Sequence, residues 1–195
     1  MNRGVVELER LIGDLTSDDD GLAEAAVEGL AGLGYEALTP LTDLLDSQKA
    51  DDRWWAVRAL AALDHPAVPR LLLAVITDGS PDVRRAAILG LRLHPSVEAI
   101  PALATALEDV DRLTAHLASD ALAACGSRAV ESLSYALRSP EASVRIEAAR
   151  ALAEIDDPAV VPQLFHALDD ASVTVNFWAE RGLEMRGIGM TFFNP

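Results

Sequence analysis

Two adjacent tryptophans, Trp54 and Trp55, and a series of polar and aromatic side chains that returns once per repeat are the groups here with chemistry to offer. The series runs Asp43, Leu73, Thr105, Tyr135 and His166. Pro40, Arg70, Ala102, Ser132 and Gln163 stand three residues before them, and Phe165 adjoins His166. Hydrogen-bonding, charged and aromatic groups in this arrangement suit contact with another macromolecule, and ordinary inter-repeat packing is the alternative. Tryptophan is a frequent anchor of protein interfaces, although the pair also fits edge packing. The four histidines, His65, His94, His116 and His166, include no pair at ligand spacing on one helix and no H-E-x-x-H. No metal site and no cofactor are therefore expected. Cys125, the single cysteine, cannot form an internal disulfide. Next to Gly126 at a helix end, it reads as a small buried residue rather than a nucleophile. Arg53, Arg84 and Arg145 share one repeat position near Asp51, Asp82 and Glu141. They read as an inter-repeat ladder of salt bridges and carbonyl contacts, with an anion site as the alternative.

These groups need helices to position them, and the helices announce themselves by repetition. Leu30, Leu60, Leu91, Leu122, Leu152 and Leu183 follow one another at 30 or 31 residues. Each is preceded by Gly or Ala, and by an Ala four residues back. A period of this size marks stacked repeats. In each repeat a first helix carries these columns. In the third it is expected over Pro81–Leu93, with Val83, Ala87, Gly90 and Leu91 on one stripe, Ser80 as N-cap and Pro81 in the first turn. The fifth repeat is expected to start likewise at Ser139-Pro140. A second helix carries Leu41, Leu71, Leu103, Leu133 and Leu164, each with a partner four residues on: Leu45, Val75, Leu107, Leu137 and Leu168. Pro69, Pro101 and Pro162 mark where three of these second helices begin. The small column lets neighbouring helices approach closely, and stacking the hairpins makes one continuous core. Residues 1–195 read as a single array: an N-terminal cap helix within 1–19, repeats over 20–186, and an apolar tail over 187–195 that folds back over the exposed end.

The chain has 195 residues, half of them hydrophobic, with 31 acidic against 16 basic side chains and a net charge of −15. That sign repels phosphate backbones and anionic lipid, so neither nucleic acid nor a membrane is an expected partner. The N-terminus is polar and amphipathic, and no apolar run approaches a membrane span. A cytoplasmic protein is the simplest expectation.

The recurring V-R-x-x-A-A pattern, as in Val83-Arg84-Arg85-Ala86-Ala87 and Val144-Arg145-Ile146-Glu147-Ala148, resembles short HEAT repeats. More narrowly, it resembles the HEAT-like repeats of phycobilisome bilin lyases. The stretch Arg53-Trp54-Trp55-Ala56-Val57-Arg58-Ala59-Leu60-Ala61-Ala62-Leu63 is similar to a segment of small lyase subunits. The resemblance covers residues from about 20 to 186. It implies an all-α, right-handed α-solenoid of about five to six hairpins with atypical ends, the second helices lining its inner side. It also implies lyases in which two subunits attach an open-chain tetrapyrrole to a cysteine of a light-harvesting protein. Other relatives act as chaperones, detachment factors or adaptors. No His is followed by Glu, as the di-iron centre of the deoxyhypusine hydroxylase family requires. A helical-repeat DNA glycosylase needs a basic groove. The expectation from the residues is thus a non-enzymatic adaptor that binds another protein through its second-helix face, with Asp43, Arg70, Leu73, Thr105, Tyr135, Gln163, Phe165, His166, Trp54 and Trp55 as contacts. The alternative is a bilin lyase-like subunit or chaperone acting on phycobiliproteins.

Overall fold

A computed structural model describes residues 3–189. Among them every regular element is helical and no strand occurs, as the repeat pattern predicts. The chain divides into two compact units, one ending at Ala99 and the other starting at Ile100.

The first unit holds α1 (Arg3–Leu15), α2 (Asp20–Leu33), α3 (Leu38–Leu44), α4 (Ala50–Ala61), α5 (Val68–Ala74) and α6 (Pro81–Leu93). α1 packs on α2, α4 lies against α2, α3 and α6, and α5 against α4 and α6. The second holds α7 (Ile100–Ala106), α8 (Arg112–Ala124), α9 (Val130–Ala136), α10 (Ala142–Glu154), α11 (Val161–Ala167) and α12 (Val173–Met185). Here α10 lies between α8 and α12, with α7 on α8 and α11 on α12. Long first helices therefore alternate with short second helices, which are seven residues each in α3, α5, α7, α9 and α11. Short 3-10 turns lead into α3, α7, α9 and α11.

The leucine columns are the core. Leu30, Leu60 and Leu91 are fully buried in the first unit, and Leu122 and Leu152 in the second. The small column has the expected steric reason. A Cβ added at Gly90 would stand 2.6 Å from Leu72 Cδ1, and one at Gly182 would stand 2.8 Å from Leu164 Cδ1 and 3.0 Å from the Ala153 Cα. Each glycine thus admits the leucine of the second helix against its own backbone.

Two expectations about register need correction. In α5 the core leucine is Leu72, with no accessible surface, whereas Leu71 is half-buried. The partner four residues on is Ile76, and Val75 is buried beside it. The run Leu71-Leu72-Leu73 offers three equivalent apolar side chains, and the 31-residue step from Leu41 to Leu72 and on to Leu103 decides between them. The second correction concerns α10, which starts at Ala142 with Glu141 as its N-cap. Ser139 and Pro140 remain in the preceding loop, where the Ser139 hydroxyl accepts the Glu141 N–H. Ser80 does flank α6, with Pro81 in the first turn, but its hydroxyl makes no capping bond; the Asp78 carboxylate accepts the Ser80 N–H instead, at 2.8 Å.

Side-chain caps do occur at Asp19, which accepts from the N–H groups of Gly21 and Leu22, and at Asp111, which accepts from Thr114. At its other end α12 closes on Gly187, whose φ is +71°. The Ile188 N–H reaches Leu183 O and the Gly187 N–H reaches Glu184 O, both at 2.9 Å, the paired bonds of a Schellman cap. The greater part of the tail expected to fold back, residues 190–195, lies outside the described residues.

Candidate functional site

In the second unit the short helices α7, α9 and α11 offer a broken face. Their buried leucines turn inward, so the residues two positions on must turn out. Thr105 and Tyr135 line one hollow of ≈ 430 Å³ together with Pro101, Glu108 and Arg138. Gln163 and His166 line a second of ≈ 330 Å³ with Ser134, Arg138 and Asp170. Tyr135 is 80% exposed and Phe165 49%, far more than packing residues of their size. The Ser134 hydroxyl donates to Gln163 Oε1 at 2.8 Å and ties α9 to α11. Arg138 borders both hollows and makes no ion pair among the described residues.

In the first unit Asp43 and Arg70 are exposed and Leu73 is half-buried. The corrected register of α5 moves Arg70 and Leu73 one place out of the series that Asp43 begins. Ala74, not Leu73, is the counterpart of Thr105 and Tyr135, and Leu71, not Arg70, that of Gln163. Trp54 and Trp55 meet at 4.7 Å in an edge-to-face pair on the wall of a hollow of ≈ 740 Å³. The starts of α2 and α4 frame this hollow, and its rim carries Asp18, Asp20, Glu24 and Asp51. The Arg58 guanidinium lies over Trp54 at 5.5 Å and pairs with Glu24 at 2.5 Å. In α12 Phe177 and Trp178 repeat the aromatic pair, with Arg181 over Trp178 at 5.8 Å.

Two of the repeated arginines, Arg53 and Arg145, form the expected inter-repeat salt bridges, with carboxylates 25 residues further on rather than with Asp51 or Glu141. Arg53 forks onto Asp78 at 2.7 and 2.8 Å and donates to Ser47 O. Arg145 forks onto Asp170 at 2.8 and 3.1 Å and donates to Ser139 O. Arg84 donates to Asp78 O at 3.0 Å. Hydrogen bonds from these guanidinium groups hold the Asp78 and Asp170 carboxyls below the usual range, against an opposing effect of burial. A denser cluster escapes sequence reading. Arg150 is buried and bonds Asp120 at 2.7 Å, Glu147 at 3.0 Å and His116 O at 2.6 Å. Burial lowers its affinity for a proton, but the hydrogen bonds it donates to the Asp120 and Glu147 carboxylates outweigh that and raise its pKa. Its counterparts in the other repeats, Glu28, Arg58, Leu89, Asp120 and Arg181, are mostly charged, so nothing in the sequence marks this one as buried.

The arrangement can hold, orient and discriminate by charge. Cys125 is buried at the end of α8 and is not placed to attack anything. Among the described residues no three His, Cys, Asp or Glu side chains are grouped to hold a metal ion. No described helix is long and apolar enough to cross a membrane.

Comparison with known proteins adds what geometry leaves open. The HEAT repeats family matches residues 8–92, 68–135 and 130–187. A phycocyanobilin lyase subunit beta of Pseudanabaena tenuis is 45% identical over 82 residues, which is 42% of this chain and 29% of that protein. A phycobilisome maturation protein of Synechococcus elongatus is 44% identical over 82 residues, 42% of this chain and 40% of that protein. These matches thus span less than half of either relative. The structure of the CpcE–CpcF complex of phycocyanin lyase from Nostoc shares the fold, with a TM-score of 0.56 at 23% identity over 90% of this chain and 75% of that one. The relatives overturn the expectation of a non-enzymatic scaffold. That expectation rested on the lack of a converging acid, base and nucleophile, which carries no weight where the reacting thiol sits on a different protein.

Proposed function

This chain belongs to the HEAT-repeat family, and on that footing we propose that it is a phycobilin lyase-type subunit acting on a phycobiliprotein. The observation that carries the reading is the 45% identity with a phycocyanobilin lyase subunit. In the reaction the resemblance implies, a cysteine of the acceptor protein takes the bilin. The demand on this chain is therefore to hold and orient two bodies, not to supply a nucleophile, and a buried Cys125 agrees with that division. The contact surface belonging to this proposal is the α7–α9–α11 face. Tyr135 and Phe165 offer exposed rings to a planar tetrapyrrole or an acceptor helix, and Arg138 offers a cation to a bilin propionate. The other sequence-derived contacts, Asp43, Arg70, Leu73, Thr105, Gln163, His166, Trp54 and Trp55, remain proposals of the same kind. A second protein subunit and a cytoplasmic site of action go with this reading.

The test is reconstitution of the chain with phycocyanobilin, an apo-phycobiliprotein and a second HEAT-repeat lyase subunit. A coloured adduct that survives denaturation, and that weakens on Tyr135→Ala or Arg138→Ala, supports the proposal. Its absence, together with unchanged phycobiliprotein yield in cells lacking the chain, overturns it. The likeness to a phycobilisome maturation protein favours a second reading, a phycobiliprotein chaperone. That reading predicts a fall in yield with bilin attachment intact.

A further inference from the structure

α12 is the last helix among the described residues, and no later helix covers its outer side. α10 shows what such a face looks like when a neighbour does stack on it. Its Ala149 is buried in a cluster with Val175 and Ala179 of α12, and its Ala153 lies against Gly182. Counted from the core leucines Leu152 and Leu183, the same two positions of α12 are Glu180 and Glu184, both exposed. A flush helix would trap those carboxylates without partners, so this face is closed to another hairpin of the same stack.

Beside the glutamates runs a different line. Val173, Phe177, Arg181 and Met185 follow one another at four-residue spacing and form one ridge on the helix surface. Val173 is 85% exposed, Phe177 51% and Met185 62%. In α8 the same line is mostly polar: Arg112, His116, Asp120 and Ala124. Reversed about Ala179, the α12 ridge pairs apolar with apolar, Val173 with Met185, and aromatic with cation, Phe177 with Arg181. A two-fold contact requires such self-complementarity, because one patch serves both partners. Arg181 makes no ion pair among the described residues and already lies over Trp178 at 5.8 Å. A ring from a second copy therefore adds a cation–π contact without breaking a salt bridge. Glu180 and Glu184 then fall opposite Trp178 and Thr174 of the second copy, so no carboxylate directly faces another.

From this we infer that two copies of the chain pair antiparallel through the Val173–Met185 ridge, around a two-fold axis at Ala179. A single helix pair is small beside a standard interface, so the dimer should be weak and form at roughly 100 μM. The charge of −15 opposes pairing, and salt relieves that opposition. The inference does not rest on the lyase-type reading, because none of these residues belongs to the α7–α9–α11 face. The experiment is sedimentation velocity of the full chain from roughly 5 to 500 μM, at low and at moderate salt. The expected result is a monomer–dimer equilibrium that tightens as salt is added. Val173→Lys and Met185→Glu should each weaken self-association at least about tenfold. Mixed together they should recover most of it, because the two-fold sets the new lysine of one copy against the new glutamate of the other. Val110→Lys, the same change at a valine that is 95% exposed away from α12, should alter it less than about twofold. Val173 and Met185 are themselves exposed, so their variants keep the fold. A monomer throughout the range overturns the inference, as does association that the α12 variants leave unchanged or that mixing fails to restore. Dimerisation only of a chain shortened after Gly189 would assign the ridge to residues 190–195 and likewise overturn it. No bilin, phycobiliprotein or second lyase subunit is present, so failure here leaves the lyase-type reading standing.

Discussion

Arg53 and Arg145 occupy the same repeat position in separate units and make the same three bonds, two to a carboxylate and one to a carbonyl. A planar guanidinium satisfies this forked geometry and a lysine does not. Each pair is largely shielded from water, so replacing Arg53 or Arg145 by Met should cost roughly 1.5–3 kcal/mol in urea unfolding. The pH dependence follows from the depressed Asp78 and Asp170 pKa values. A carboxyl whose folded pKa lies below its unfolded value contributes stability above that unfolded value, near pH ~3.9 for aspartate. The contribution drains away as pH falls through the folded pKa. Thermal melts of the intact chain should therefore hold through neutral pH and drop steeply in the acid range. Asp78→Asn and Asp170→Asn should start lower at neutral pH and show a shallower acid limb.

At the scale of the helix, the glycine and leucine columns make a sharper forecast than helix propensity does. Alanine is the better helix former by about 1 kcal/mol, yet Gly182→Ala should destabilise, because the new Cβ meets the Ala153 main chain as well as Leu164. Gly90→Ala meets mainly the far end of Leu72 and should cost less. Leu72→Ala should cost about 2–5 kcal/mol, and Leu71→Ala clearly less, in the same denaturation experiment. That contrast also marks what sequence alone can and cannot carry. The first helices were readable because each leucine is flanked by small residues at fixed offsets. The second helix of repeat two was not, because three leucines in a row erase the polar landmark that sets register. The start of α10 slipped by two residues because a Ser-Pro pair works as well in a loop as in a first turn. The rim of the Trp54–Trp55 hollow was illegible for a different reason. Asp18 and Asp20 lie a full repeat before Asp51, and only the packing of α2 on α4 brings them to one place.

At the scale of the whole chain, the family matches run from residue 8 to residue 187, whereas the lyase and maturation relatives align over 82 residues. Repetition explains the difference. Hairpin packing constrains every repeat to the same small and apolar columns, but it leaves the outward residues free to diverge. Fold is therefore written many times over in this sequence, whereas the proposed contacts Trp54, Trp55 and Tyr135 stand outside the repeated leucine and small-residue columns. The charge of −15 belongs to the whole surface and sorts partners by sign without naming them.

The lone thiol of Cys125, sealed under the end of α8, makes the chain its own stopwatch. A thiol reagent can colour it only when that end of the second unit comes apart, so native labelling should run at least about a hundredfold slower than labelling in urea. Leu133→Ala, which opens a cavity in the core of the same unit, should speed it up. Leu72→Ala, in the other unit, then becomes the informative case: a quickened clock would mean that a wound in one half is felt in the other, and an unchanged one that the halves breathe to separate rhythms.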